Sequence, residues 1–226
     1  MNAVDLEPIP AAEKTQSALD LFLIFAGANV VATTFITGAT LKAGLPFSSA
    51  LAAAALGSLI GAGLVALLVP VGSKWGVPSI IALRAPLGRP GAHLVAVILY
   101  ITNFAWIALP SVDMRVLAVA LGIAATMIVA GGPRLVALAN RAAVPLMVVA
   151  GSYLAFLAMK SFGSVSEVSA LPALSMWQAL DLVIAYQVSW ILMFADYSRY
   201  SASPRRSGLA VFASLALTSI LGMSLG

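Results

Sequence analysis

Seven apolar segments follow one another along this chain, and each is long enough to cross a lipid bilayer as an α-helix. The hydrocarbon core of a bilayer is about 30 Å thick and a helix rises about 1.5 Å per residue, so about 20 apolar residues are needed. The segments are 21–41, 47–71, 92–112, 116–133, 142–159, 177–195 and the run from 207 onward. This pattern predicts a polytopic membrane protein.

Composition favours helices in lipid over a soluble fold or a barrel. Hydrophobic residues make up 62% of the chain and charged residues 9%, whereas soluble domains carry about 25% charged residues. Runs such as 51–69 are apolar on every face, which excludes the alternating pattern of a barrel strand. We therefore expect an all-α integral membrane fold, with a tail at 1–17 and a transmembrane domain of about seven helices at 18–226.

The distribution of basic residues predicts the orientation. If the amino terminus is cytoplasmic, nine basic residues fall inside and three outside. The inner ones are Lys14, Lys74, Arg84, Arg89, Arg134, Arg141, Arg199, Arg205 and Arg206, and the outer ones are Lys42, Arg115 and Lys160. This positive-inside bias predicts a cytoplasmic amino terminus. We expect a multi-pass protein of the plasma membrane, which in bacteria is the inner membrane. Residues 1–20 are net negative and unlike a secretory signal, so we expect 1–17 to be a flexible cytoplasmic tail.

The connection at 72–91 is rich in glycine, proline and basic residues. Ser79 is placed to cap a short helix in which Arg84 lies on a different side from an apolar stripe. We expect a short amphipathic helix at the cytoplasmic interface. An irregular loop is the alternative.

Motifs of enzymes, metal centres and nucleic-acid binders are absent from the sequence. There is no His-Glu-x-x-His, no Gly-x-Ser-x-Gly and no phosphate-binding glycine loop. Cysteine is absent, His93 is the single histidine, and no dense basic face with interleaved aromatic residues is present. We therefore expect no catalysis, no bound cofactor and no nucleic-acid partner.

Polar and helix-weakening residues lie at membrane depth in the first and sixth segments. Gly27 and Asn29 stand in the first, and Gln187, Ser189 and Trp190 stand near the middle of the sixth. Asn must find a hydrogen-bond partner in a dry environment and glycine weakens a helix. One interpretation is a helix break that faces a flat heteroaromatic ligand. The alternative is close packing of helices through small and polar residues.

Other residues receive narrower interpretations. Trp106 in the third segment is a second candidate stacking surface, with core packing or lipid contact as the alternative.

Gly57 and Gly61 form a Gly-x-x-x-Gly pair that indicates helix packing. Asp196 and Arg199 lie three residues apart, so they are placed to pair on one helix face. We interpret them as a cytoplasmic gate or anchor.

These patterns resemble the nucleobase:cation symporter-1 family, which includes cytosine, purine, allantoin and hydroxymethylpyrimidine permeases. The most specific likeness is the sixth-segment sequence at 188–190 and 195–200. Supporting matches are 76–79 with Arg84 and 87–88, the first-segment residues 27–29, and Trp106. The resemblance extends over nearly all of 18–226.

The resemblance implies a LeuT-type fold of two inverted five-helix repeats, in which the first and sixth helices are broken at mid-depth. It implies import of a nucleobase-like substrate by cation symport with Na+ or H+, by a monomer. Stacking on the base is assigned to Trp106 and Trp190. Hydrogen bonds to the base are assigned to Gln187, Ser189, Asn29 and Gly27. Part of a cation site is assigned to Ala26, Asn29 and Val30.

Family members are longer, and their helices beyond the seventh have no counterpart in this chain. We therefore expect a fold truncated in its seventh helix, with half of both sites absent. Two alternatives stay open: a carrier of another small solute on the same fold, or a truncated membrane protein that does not transport.

Overall fold

A computed structural model describes residues 6–108, 115–131 and 173–226, with isolated positions between 135 and 160. Every regular element within these residues is a helix. The α-helices are α1 (Ala18–Asn29), α2 (Ala32–Gly44), α3 (Phe47–Trp75), α4 (Ser79–Ala82), α5 (Arg84–Ala108), α6 (Arg115–Ala130), α7 (Met176–Val188), α8 (Phe194–Ser198) and α9 (Pro204–Leu225). Short 3-10 helices occupy Ala11–Glu13 and Ser189–Met193. The predicted all-helical class is confirmed for this described part of the chain.

Three of the described helical segments are long and apolar enough to cross a membrane on their own. They are α3, the α7–α8 segment Met176–Ser198, and α9. The pair α1 and α2 qualifies as a fourth span that is bent by 60° between its halves. These four match the first, second, sixth and seventh predicted segments. Helices α5 and α6 coincide with the described parts of the third and fourth, and the fifth lies largely outside the described residues.

Capping boxes determine where two of the spans begin. Ser17 Oγ accepts a hydrogen bond from the Asp20 amide at 3.1 Å, and the Asp20 carboxylate accepts one from the Ser17 amide at 2.9 Å. Ser175 and Gln178 form the same reciprocal pair at the start of α7. Each box satisfies two amide groups that a helix leaves unpaired at its first turn.

Helix α3 packs against α7 and α9 through small residues. A Cβ atom at Gly57 would lie 2.6 Å from the Cβ of Val183, and one at Gly61 would lie 2.5 Å from the Cβ of Gln187. The backbones of α3 and α7 therefore approach more closely than any larger residue allows. This confirms the interpretation of the Gly57–Gly61 pair as a packing motif.

The connection at 72–91 contains the predicted short helix, α4, but its start differs from the prediction. Pro78 is the N-cap and provides no side-chain bond, while Ser79 is the first residue inside the helix. The prediction that Ser79 caps α4 is wrong because its buried hydroxyl bonds to α8 instead. Helix α5 follows at once and is kinked at Gly88, whose φ of 67° favours glycine.

The segment predicted as a flexible tail is hydrogen-bonded to helix ends in its described part. The amide of Ile9 donates to the Gly76 carbonyl at 2.9 Å, and the amide of Gln16 donates to the Tyr200 carbonyl at 3.0 Å. Residues 9–16 therefore lie against the end of α3 and the turn between α8 and α9.

Candidate functional site

The first span is interrupted at Val30 and Val31, which separate α1 from α2. Val31 is extended, with φ −132° and ψ 164°, and Val30 has φ −83° and ψ 76°. The break expected at Gly27–Asn29 falls directly after Asn29, since Gly27 and Asn29 both lie inside α1. The physical reason is that two consecutive β-branched residues favour extended backbone, whereas a single glycine only weakens a helix.

Asn29 is the last residue of α1, and its side chain is fully buried. Its amide nitrogen donates two hydrogen bonds to α9, to Thr218 Oγ1 at 2.8 Å and to Ser219 Oγ at 2.7 Å. The Thr218 hydroxyl in turn donates to the Ser214 carbonyl at 2.7 Å. The only proton of the Thr218 hydroxyl is used in that bond, so Thr218 Oγ1 must accept from Asn29. The Asn29 side chain therefore turns its nitrogen, not its oxygen, toward α9.

The side-chain oxygen of Asn29 is buried without a hydrogen-bond donor among the described residues. An unsatisfied buried acceptor costs about 1–3 kcal/mol. This oxygen is therefore the atom at the break that gains most from a water, an N–H group or a cation.

A chain of hydroxyl groups connects the break to α7. Thr34 Oγ1 donates to the Asn29 carbonyl at 2.5 Å, which satisfies a carbonyl freed by the end of α1. The phenol of Tyr186 lies 2.6 Å from Thr34 Oγ1 and 3.4 Å from Thr33 Oγ1. Since the Thr34 proton is directed at Asn29, Tyr186 is the donor to Thr34. The first and sixth spans are thus linked at the break.

Tyr186→Phe tests this link. The change removes one buried hydroxyl and leaves Thr34 Oγ1 without its donor, so we expect the free energy of unfolding to fall by about 1 kcal/mol. A detergent-solubilised melting curve measures it. Tyr153→Phe, at an exposed position, is the matched control and should leave the curve unchanged. Equal melting of Tyr186→Phe and the control would show that the hydroxyl chain contributes nothing.

The sixth span also departs from α-helical geometry at its middle. The α7 helix ends at Val188, a 3-10 helix occupies Ser189–Met193, and α8 begins at Phe194. Met193 has φ −121° and ψ 18°, which lies outside the helical region. A 3-10 stretch inside a helix often marks a functional hinge. The sequence motif at 188–190 therefore coincides with a real change of helix type.

Gln187 is fully buried between α3 and α9. Its Nε2 donates to the Leu215 carbonyl at 3.2 Å, and its stem contacts Gly61. Its Oε1 is a second buried acceptor without a donor among the described residues. Ser189, by contrast, is satisfied locally, because its hydroxyl donates to the Tyr186 carbonyl at 2.7 Å.

Trp190 is half-buried and packs against α1. Its ring centroid lies 5.7 Å from that of Phe25 at a tilt of 58°, and Phe25 meets Tyr197 edge-on at 5.5 Å. The side chain of Trp106 lies outside the described residues, so its predicted stacking role stays a prediction.

The backbone of Gly27, Ala26 and Val30 lies beside the break. No described atom outside α1 itself is within 4 Å of where a Cβ of Gly27 would stand, so no described residue covers this side of α1. The Val30 amide donates to the Ala26 carbonyl at 3.0 Å, which gives that carbonyl one helical partner. The predicted roles of these residues toward a cation or substrate stay predictions.

Asp196 and Arg199 are held at the inner end of the sixth span by separate contacts. The Asp196 carboxylate accepts from Ser79 Oγ at 2.5 Å, and Ser79 Oγ accepts from the Ala195 amide at 2.9 Å. Arg199 is 7% exposed and donates to the Tyr200 hydroxyl at 3.0 Å. Asp196 therefore joins α8 to α4; the role of Asp196 and Arg199 as a cytoplasmic gate or anchor stays a prediction.

A family model described as permeases for cytosine/purines, uracil, thiamine and allantoin matches residues 8–112 and 110–226. Together the two matches extend over nearly the whole chain, including both helix breaks.

The chain belongs to this permease family.

A curated relative gives the same assignment over a shorter stretch. The Bacillus subtilis (strain 168) protein YxlA, whose name places it provisionally among purine-cytosine permeases, is 40% identical over 90 residues. That alignment covers 39% of this chain and 20% of YxlA. The similarity therefore extends to about a fifth of the curated relative.

Two site residues of this permease-family chain were missed by sequence analysis. Thr218 and Ser219 lie within the apolar seventh segment and bind the amide of Asn29. Two adjacent hydroxyl residues at membrane depth were the available signal, because hydroxyl groups there need partners. Their pairing with the first span depends on tertiary packing, which the sequence alone does not specify.

Proposed function

We propose that this protein imports a nucleobase or a related heterocycle by cation symport. The observation that carries the proposal is the buried Asn29 oxygen at the break of the first span, which has no hydrogen-bond donor in the part of the chain that the structure describes. In transporters, interrupted helices at mid-depth use freed polar groups to hold substrates and coupling ions. The family assignment narrows the expected substrate to the heterocycle class.

The proposed fold is LeuT-type, with two inverted five-helix repeats. Support comes from the two interrupted spans, the 60° bend between α1 and α2 and the 3-10 segment between α7 and α8. The proposed setting is the bacterial inner membrane. The positive-inside bias supports a cytoplasmic amino terminus. A monomer and either Na+ or H+ as coupling ion complete the proposal.

In the proposed site, a planar base stacks on Trp190 beside the break of the first span, with the backbone of Gly27 as a further hydrogen-bonding group. Asn29 Oδ1 and Gln187 Oε1 are acceptors, so they suit a substrate that presents N–H donors. Cytosine, purines and allantoin all carry such groups. Trp106 would supply a second stacking surface.

The direct test is uptake by cells that express the gene and lack their own nucleobase carriers. Radiolabelled cytosine, adenine, uracil and allantoin are offered separately, first in Na+ buffer and then with K+ in its place. We expect uptake of at least one of these compounds, and competition from unlabelled heterocycles but not from amino acids. Competition by amino acids would instead support a carrier of another small solute, and no uptake at all would contradict transport.

Trp190→Ala tests the stacking role. Stacking of a base on an aromatic ring contributes about 1–3 kcal/mol, so we expect the dissociation constant of the best substrate to rise about tenfold. Calorimetry on the detergent-solubilised protein measures it. Trp177→Ala, at an 81% exposed position in the same span, is the control. An unchanged dissociation constant for Trp190→Ala would restrict Trp190 to its packing contact with Phe25.

A further inference from the structure

A contact between two buried serines joins the end of α3 to the beginning of α9. The hydroxyl oxygens of Ser73 and Ser207 lie 2.8 Å apart, and both side chains are buried. Ser73 is in the last turn of α3, and Ser207 is the fourth residue of α9. The residues that adjoin these two serines in the chain therefore lie at the same end of the helix bundle.

Three of the adjoining residues form a basic rim at this end of the bundle. Lys74 belongs to the last turn of α3, and Arg205 and Arg206 belong to the first turn of α9. All three side chains are exposed. Within the described residues none of them forms an ion pair with a carboxylate. The rim therefore presents three cations outward from two neighbouring helices.

Trp75 indicates the depth of the basic rim in the membrane. It is the last residue of α3, it is 61% exposed, and its ring centroid lies 5.3 Å from Lys74 Nζ. Helix α3 is long and apolar enough to cross a membrane. An exposed tryptophan at the end of such a helix prefers the boundary between hydrocarbon and headgroups, where its indole has one apolar and one wet side. The basic rim is therefore expected at headgroup level.

The chemistry of the basic rim restricts its partner. Ammonium and guanidinium groups donate hydrogen bonds and accept none, so the partner must present anionic oxygens, and guanidinium matches phosphate geometry especially well. The adjacent segment adds Lys14, whose Nζ donates to the Ser73 carbonyl at 2.6 Å, and the exposed Glu13, so their charges offset. A zwitterionic headgroup carries a cation of its own, which the rim repels. A phospholipid with net negative charge fits better.

We propose that the basic rim binds the headgroup of an anionic phospholipid, with Trp75 packed against the same lipid. The phosphodiester oxygens accept hydrogen bonds from Lys74 of α3 and from the arginines of α9. One lipid thereby bridges two helices that the Ser73–Ser207 contact already joins. The proposal concerns a surface away from the helix breaks and does not depend on the substrate or the coupling ion.

Tryptophan fluorescence gives a direct test, because bromine atoms on a lipid quench the indoles that the lipid touches. The purified protein is reconstituted in phosphatidylcholine vesicles, in which a growing fraction of lipid is replaced by brominated phosphatidylglycerol or by brominated phosphatidylcholine. The quenching that disappears in Trp75→Phe is the signal from this position. The ratio of its two titration curves gives the preference of the basic rim for the anionic lipid.

We expect the parent protein to prefer phosphatidylglycerol at Trp75. Lys74→Gln should lower the preference about fivefold, the factor that corresponds to about 1 kcal/mol for a basic residue at a membrane surface. Arg205→Gln combined with Arg206→Gln should remove most of it. Lys42→Gln is the matched control, because Lys42 is in the last turn of α2, shortly before α3 begins, at the opposite end of α3 from Lys74. It should keep the parent preference.

Three outcomes would overturn the lipid site. The first is equal quenching by the two brominated lipids in the parent protein. The second is an equal loss of preference in Lys42→Gln and Lys74→Gln, because that result indicates diffuse surface charge. The third is displacement of phosphatidylglycerol by inorganic phosphate at the same concentration, which would assign the basic rim to a soluble anion. No measurement involves a transported substrate, so failure here is distinguishable from failure of the proposed transport.

Discussion

Asn29→Asp is expected to destabilise the protein by about 4 kcal/mol, because it places an uncompensated charge in a fully buried position. The aspartate has the shape of asparagine but donates no hydrogen bond to Thr218 or Ser219. For a chain of this size the melting temperature should fall by about 10 °C. Melting of the detergent-solubilised protein, followed by size-exclusion chromatography of heated samples, measures the effect.

Gln178→Glu is the matched control for this experiment. It makes the same change from amide to carboxylate, but at the exposed third position of α7, inside a capping box. A negative charge there faces the positive end of the helix, so stability should be unchanged or raised by about 0.5 kcal/mol. If Asn29→Asp melted like this control, Asn29 would not be the buried group that the structure shows.

Gly72→Ala is expected to cause the second large loss. A Cβ at Gly72 would lie 2.3 Å from Ser198 Oγ and 2.7 Å from the Cα of Ala195. Backbone cannot move aside without separating α3 from α8, so overpacking should cost about 3 kcal/mol. The shift of α8 also disturbs Asp196, which α4 holds through Ser79.

Gly63→Ala, on the same helix, provides the comparison. The nearest atom to its added Cβ is Phe212 Cε2 at 4.0 Å, so no contact is disturbed. Replacing glycine inside a helix should then stabilise the protein by up to about 1 kcal/mol. Opposite signs for the two substitutions, in the same melting assay, would confirm the close approach at Gly72. Equal effects would contradict it.

Much of the fold could be predicted from the sequence, because the membrane spans depend on the hydrophobicity and spacing of residues that are close together in the chain. The long apolar runs predicted the spans at α3, α7–α8 and α9, and the Gly57–Gly61 spacing predicted their close packing. Both depend on residues near each other in the chain and on the general requirements of lipid. The change of helix type at Ser189 and Trp190 coincides with the motif that carried the family resemblance.

The candidate site was predicted less completely, because its contacts join distant parts of the chain. Asn29 was chosen for its polarity, but its partners Thr218 and Ser219 lie about 190 positions away. The break was expected at Gly27–Asn29, whereas the structure places it at the two valines that follow Asn29. Ser79 looked like a helix cap, whereas tertiary packing directs its hydroxyl to α8.

The bend between α1 and α2 brings a helix carboxyl end and a helix amino end together within the protein, only two residues apart. These ends carry partial charges of about −0.5 and +0.5. An ion of either sign is attracted by one end and repelled by the other. A neutral molecule with a strong dipole of its own can align with both ends at once.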